Sequence, residues 1–272
     1  MRALSSILSL LFIVWALPAA ADGDDCKDML AVTGAPEYKG SETPDHTILC
    51  RAGYVLSYNT QRLTPDWVLE VLNASRFKGT ADRTTLRNPF APDPDLKPGG
   101  RSELKDYAAS GYDRGHMAPA ADMKFSRDAM IQSFYLSNMT PQVGIGMNRG
   151  IWADLERLTR QWVCGHNELI AISGPIYEDA SKTVGEDKVA VPTAFYKILY
   201  DPERKRIIAF VLPNKAVDKA GKSAVEALKQ FLVKAGDIED RVGLTFLDAL
   251  TPRDRTRLLD MTPAMWSKLD LC

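Results

Sequence analysis

Apolar and polar positions along this chain follow two different periods, and the two fall in separate blocks. Runs at 48–58, 67–72, 168–172, 194–200 and 206–212 are either alternating or unbroken apolar stretches. They are rich in β-branched and aromatic residues and flanked by turn formers, which predicts strands. Residues 148–163 follow the helical period instead: Ile151, Leu155, Leu158 and Trp162 recur at three- and four-residue intervals and mark one apolar face. Weaker helical patterns cover 127–134 and 223–235, with a short strand-like run at 134–137. Residues 22–41 are polar, with scattered Gly and Pro, and read as extended or irregular. Strands, then a helix, then more strands, without regular β-α alternation, predict an α+β fold with a mainly antiparallel central sheet flanked by helices.

Residues 88–100 hold four prolines and two glycines and must form a loop. Strand-like material lies on both sides, so the segment reads as a long loop within one domain spanning 22–272. The first 21 residues have a different character: Arg2, an apolar stretch over 8–17, then Ala19-Ala20-Ala21. That is the form of a secretory signal peptide, and its apolar core is shorter than the ~20 residues needed to span a bilayer. No later stretch is long and apolar enough to span. The sequence therefore predicts a periplasmic or secreted protein without a membrane segment. The formal net charge of -1 becomes -2 on loss of Arg2, the one charged residue of the leader. A nearly neutral chain is a poor candidate for a nucleic-acid coat protein, so any phosphate-binding field must be local. The four cysteines, in an exported protein, predict disulfides. Three pairings are open, and Cys26–Cys50 with Cys164–Cys272 is the expectation.

The densest chemistry lies at Asp113-Arg114-Gly115-His116, which contains one of only three histidines. A guanidinium offers a fixed fork of donors to a phosphate. An imidazole accepts a proton from water near neutral pH. The glycine between them lets the backbone turn or approach a ligand closely. In isolation these residues would also fit a solvated surface turn. Further along, Asn138 precedes Thr140-Pro141, Asn148 stands at the start of the clear helix, and Glu156 follows eight residues later. Alone, each has an ordinary reading as turn, helix cap or solvated face. On one continuous helix Asn148 and Glu156 would lie about 12 Å apart along the axis and about 80° apart around it. A neutral amide oxygen suits Mg²⁺, and a longer Glu156 would hold water bound to it.

Taken together, these pieces resemble the DNA/RNA non-specific endonuclease family, the His-Me finger (ββα-metal) nucleases that include endonuclease G. The resemblance rests on Asp113-Arg114-Gly115-His116-Met117-Ala118-Pro119, Phe134 through Asn138, Pro141-Gln142, and Asn148 with Trp152, Leu155 and Glu156. It continues in Ser173 through Ile176, Val191 through Lys197 and Ile238 through Leu244. It implies a ββα-metal active-site motif and Mg²⁺-dependent hydrolysis of DNA and RNA, with Mn²⁺ or another divalent cation able to substitute. It further implies that His116 is the general base, Asn148 the protein ligand of the metal, and Glu156 the residue that orders the metal's waters. Arg114 and an upstream arginine would contact phosphate, and Asn138 would orient His116 and the substrate. The family carries that upstream arginine shortly before a Phe-x-x-Asp segment, here Phe90 to Asp93, which favours Arg87 over Arg83. A non-catalytic nucleic-acid-binding protein on the same fold is the alternative, as is a hydrolase of another phosphodiester. A protein inhibitor, the oligomeric state and the preferred nucleic acid are left open.

Overall fold

The apolar runs become a seven-stranded antiparallel sheet in a computed structural model that describes residues 23–40, 44–179 and 181–266. Strands β1 (His46–Arg51), β2 (Tyr54–Asn59) and β3 (Thr64–Leu72) form a meander. Next, β4 (Asp113–His116) and β5 (Met139–Gln142) pair with each other outside the main sheet. The main sheet is completed by β6 (Leu169–Ile176), β7 (Ala194–Asp201), β8 (Arg206–Pro213) and β9 (Leu232–Val233). Its order is β9-β8-β7-β6-β3-β2-β1.

Both faces of the sheet are covered, which explains why antiparallel strands read as unbroken apolar runs. On β6, Leu169 and Ala171 enter one core while Ile170 and Ile172 enter the other. Helices α1 (Gly23–Leu30), α3 (Ala235–Val242) and α4 (Pro252–Leu259) pack Cys26, Ile238 and Leu258 into the second core. Between them in sequence, α2 (Ala153–Cys164) inserts Leu155, Leu158 and Trp162 into the first. The functional motifs all lie on the α2 side.

Several elements differ from the sequence pattern, each for a local reason. Residues 48–58 are not one strand but a hairpin, turning at Ala52-Gly53. A Cβ on Gly53 would lie 2.3 Å from Met123 Sδ and 2.7 Å from Arg76 Nη2, so only glycine turns beneath those side chains. The irregular stretch predicted over 22–41 contains α1, because Met29 and Leu30 find the second core and Cys26 is bonded to Cys50 with Cα atoms 5.5 Å apart. That bridge is the expected one; the other, Cys164–Cys272, involves a residue outside the described set, as does the leader at 1–21. The helix predicted over 223–235 stops early, as a short helix at Ala224–Leu228. The edge of β8 then recruits Leu232 and Val233. Residues 134–137 form no strand; a 3₁₀ turn at Leu136–Asn138 leads directly into β5. Among the described residues no helix is long and apolar enough to cross a membrane.

The proline-rich loop is tied to the sheet. Asp93 accepts two hydrogen bonds from Arg51 Nη2, at 2.6 and 2.7 Å, and another from Ser137. Ala91 bonds to Phe134 and Leu136 through the backbone. This anchoring fixes Phe90, on which the site is built.

Candidate active site

Strand β4 holds the Asp-Arg-Gly-His segment in register with β5, placing Arg114 opposite Pro141 and His116 opposite Met139. Gly115 therefore sits within a strand, not at a turn or against a ligand as its sequence context predicts. A Cβ there would lie 2.1 Å from Gln142 Cδ. The missing side chain makes room for Gln142, which links the glycine to the downstream Pro-Gln pair.

His116 is wedged against an aromatic platform. Phe90 and Phe134 meet edge to face at 5.1 Å, and the imidazole packs edge-on to Phe134 at 5.0 Å and tilted to Phe90 at 5.8 Å. The same two rings carry two cations: the Arg114 guanidinium 4.1 Å from the Phe90 centroid and that of Arg83 5.4 Å from the Phe134 centroid. Burial foremost, and then the positive fields of Arg83 and Arg114, push the His116 pKa down to about 3. Nε2 of this ring is buried without a hydrogen-bond partner.

A cleft of about 970 Å³ opens above the platform, lined by Arg83, Asp113, Arg114, His116, Asn148 and Glu156. Four predicted site residues thus converge. Two do not line it. Arg87 is absent from the wall, and Arg83 stands there instead, on a 3₁₀ turn (Arg83–Thr85) capped by the Asp82 side chain on Thr84 N. Asn138 is fully buried and fully engaged: Oδ1 accepts from Ala118 N, and Nδ2 donates to the carbonyls of Ala118 and Ser133. It fixes the backbone just after His116 and has no amide atom left over for a substrate.

Asn148 and Glu156 share the cleft, but not through one continuous helix. Residues 144–152 form a π-type segment interrupted by non-helical dihedrals at Ile145, Gly146, Arg149 and Gly150, and α2 begins only at Ala153. Such irregular turns commonly mark functional sites. Asp113 organises this one. Its Oδ2 accepts from Asn148 Nδ2 and pairs with Arg149 Nε, both at 2.9 Å. A Cβ on Gly144 would lie 2.4 Å from Arg149 Nη2 and 2.9 Å from the Asp113 carboxylate, so a side chain there would displace this ion pair. With its NH₂ held by Asp113, Asn148 keeps its amide oxygen free of any described donor. Asp113 and Arg149 received no role from sequence; the first residue of the motif was the available signal.

Behind Glu156 lies a group of buried charges that the sequence pattern does not disclose. Lys197 is fully buried, donates to Ser173 Oγ at 2.6 Å and lies 5.4 Å from the Trp152 centroid. Asp122 accepts from Arg160 Nη1 at 2.9 Å. Glu70, on the same sheet face, is raised well above the usual carboxylate range, first by burial and then by Asp122. Glu156 is pushed up to about 7 by burial, against the pull of Lys197 and Arg160.

A divalent cation fits these donors. Among the described residues the Asn148 amide oxygen has no partner, Glu156 lines the same cleft, and Arg83 and Arg114 there make no ion pair. Among the described residues there is no cluster of three acidic, histidine or cysteine side chains to cage a metal. An ion held by few protein atoms, with waters and substrate oxygens filling its shell, matches Mg²⁺ coordination.

An imidazole on a pair of antiparallel strands, beside two arginines and an amide oxygen at one cleft, has the groups that phosphodiester cleavage requires. Residues 33–253 match the family model described as DNA/RNA non-specific endonuclease. Nuclease C1 of Cunninghamella echinulata is 41% identical over 212 residues, covering 74% of this chain and 82% of that protein. The mitochondrial nuclease of Saccharomyces cerevisiae is 35% identical over 241 residues, covering 80% and 71%. The fold is similar to that in a structure titled as the EndoG/EndoGI complex, with a TM-score of 0.75 and 31% identity, over 90% of this chain and 100% of the other. The chain belongs to the DNA/RNA non-specific endonuclease family and is an endonuclease, a hydrolase of phosphodiester bonds.

Proposed function

We propose that this protein is an exported, single-domain, Mg²⁺-dependent endonuclease that cleaves both DNA and RNA. The observation that carries the reading is the convergence of His116, Arg83, Arg114, Asn148 and Glu156 on one cleft. Arg83 and Arg114 bind the phosphate and hold it over the aromatic platform. His116, neutral at working pH, accepts the proton of the attacking water. Asp113 holds the Asn148 NH₂, leaving the amide oxygen as the group that would hold a metal, with Glu156 as the group that would hold its water. When bound, the metal supplies charge stabilisation for the phosphorane-like transition state and the departing oxygen. Every group acts on phosphate and water, not on base edges or a 2′-hydroxyl, which supports the lack of sequence and sugar selectivity. Export rests on the leader at 1–21. The inhibitor named in the neighbouring structure's title supports a protein inhibitor as a partner.

Incubating plasmid DNA and a structured RNA with the mature protein tests this. Both are degraded with Mg²⁺, Mn²⁺ substitutes in part, and a chelator stops cleavage of both. Binding without cleavage would instead favour a nucleic-acid-binding protein, and chelator-resistant cleavage would remove the metal from the reading.

The depressed His116 pKa gives a signed expectation for pH. Because only the neutral ring accepts a proton, a lowered pKa extends its competence toward acid. Arg114 contributes to that lowering but is not among the charges that set Glu156. In Arg114→Gln the imidazole pKa therefore rises, and the acid limb of kcat/KM moves to higher pH. A limb that stays fixed or moves down would show that another group governs it.

A further inference from the structure

A second hollow of about 230 Å³ adjoins the cleft. The two share Ala81, Asp82, Lys124 and Met130 as walls, so they form one continuous depression. The smaller part adds Phe125 and Arg127. Neither Lys124 nor Arg127 makes an ion pair among the described residues. Asp82, the one acidic wall, is turned into its own 3₁₀ turn, where it accepts from Thr84 N at 2.8 Å.

Phe125 is 41% exposed, so part of its ring is accessible from the hollow. Its lower face is already set: the Arg76 guanidinium lies 4.7 Å from the ring centroid. Arg76 is itself buried and held by the carbonyls of Val71 and Gly53, at 2.6 and 2.7 Å. The backbone beneath is equally fixed. Ala81 N donates to Lys124 O at 3.1 Å, and a Cβ on Gly79 would lie 1.8 Å from that same carbonyl oxygen. The ring is therefore a rigid platform with two unpaired cations beside it.

We propose that this hollow binds one nucleotide flanking the scissile bond, its unpaired base stacked on Phe125 and its phosphate on Lys124 and Arg127. The assignment rests on the nuclease reading of the adjoining cleft and deepens it. An aromatic platform next to cations is the recognition chemistry of single strands, and it tolerates any sequence because every base has a π-face. A base can reach the platform only when unpaired, so single-stranded or frayed segments are the preferred substrates over intact duplex.

Oligothymidylates from the dinucleotide to the octanucleotide, cleaved with Mg²⁺ present, test the subsite. Cleavage of the octanucleotide by the wild-type protein secures the nuclease reading; no cleavage at any length would defeat that reading instead. In the wild type, kcat/KM rises by at least about five-fold at the length that fills the hollow, the lower end for one base–aromatic stack. Phe125→Ala loses this step through KM, Phe125→Trp retains it, and both cleave the dinucleotide like wild type. The double variant Lys124→Gln/Arg127→Gln loses the same step and reads the phosphate half without touching the ring. An equal loss at every length, dinucleotide included, or an unchanged length profile in both the alanine and the double variant, would overturn the proposal.

Discussion

His116→Ala lowers kcat by about 10²- to 10⁴-fold, the range for removing a general base, while the protein unfolds at nearly the wild-type temperature. The histidine lines the cleft, and its contacts are with a Phe90–Phe134 pair that remains packed without it. The loss is in kcat more than in KM, because Arg83 and Arg114 still bind the phosphate. Added imidazole restores part of the activity by supplying the missing base from solution. Activity near wild type would remove His116 from the proton transfer and leave the site without a base of suitable kind.

Asn148→Ala produces a loss of similar size with a different signature. Without the amide oxygen the metal loses its direct protein ligand, so the Mg²⁺ concentration for half-maximal activity rises. At saturating metal the rate still falls by about 10²- to 10³-fold, as for loss of one preorganised electrostatic contact. Calorimetric titration with Mn²⁺ reads the metal site without turnover and separates it from the base: His116→Ala keeps the binding isotherm, and Asn148→Ala weakens it. Unchanged metal dependence in Asn148→Ala would shift the ligand role to another group of the cleft, Asp113 or Glu156.

The parts of this molecule that were legible in the sequence are those whose chemistry is contiguous. Asp113 through His116 are four residues of one strand, and their side-chain types declare a phosphate and a proton acceptor directly. The α+β class followed from where each period begins and ends. What stayed hidden depends on dihedral angles or on strand register. Arg87 was favoured over Arg83 by counting back from Phe90, but a capped 3₁₀ turn, not spacing, decides which guanidinium stands over Phe134. Asn148 and Glu156 were placed on one helix because the apolar period runs through both. Arg149 and Gly150, both with non-helical dihedrals, break that helix, and the glycine is the visible warning. The resemblance assigns Asn138 to orienting His116 and the substrate, whereas in the fold its amide is bonded to the backbone of Ala118 and Ser133. Glu70, Ser173 and Lys197 are far apart in the chain and meet only through the pairing of β3, β6 and β7.

That last pairing bears on how the chain finds its register. Alternate residues of β7 serve opposite layers: Phe195 and Leu199 enter one core, Tyr196 and Ile198 the other. Both layers are apolar, so hydrophobicity alone would tolerate sliding β7 by one residue. Lys197 removes that tolerance. A slip would carry its ammonium away from Ser173 into a wall of isoleucine and valine, where an uncompensated charge costs several kcal/mol, and would turn every neighbour inside out. The lysine thus acts as an indexing pin, making the misaligned sheet unstable before any catalytic residue is in place.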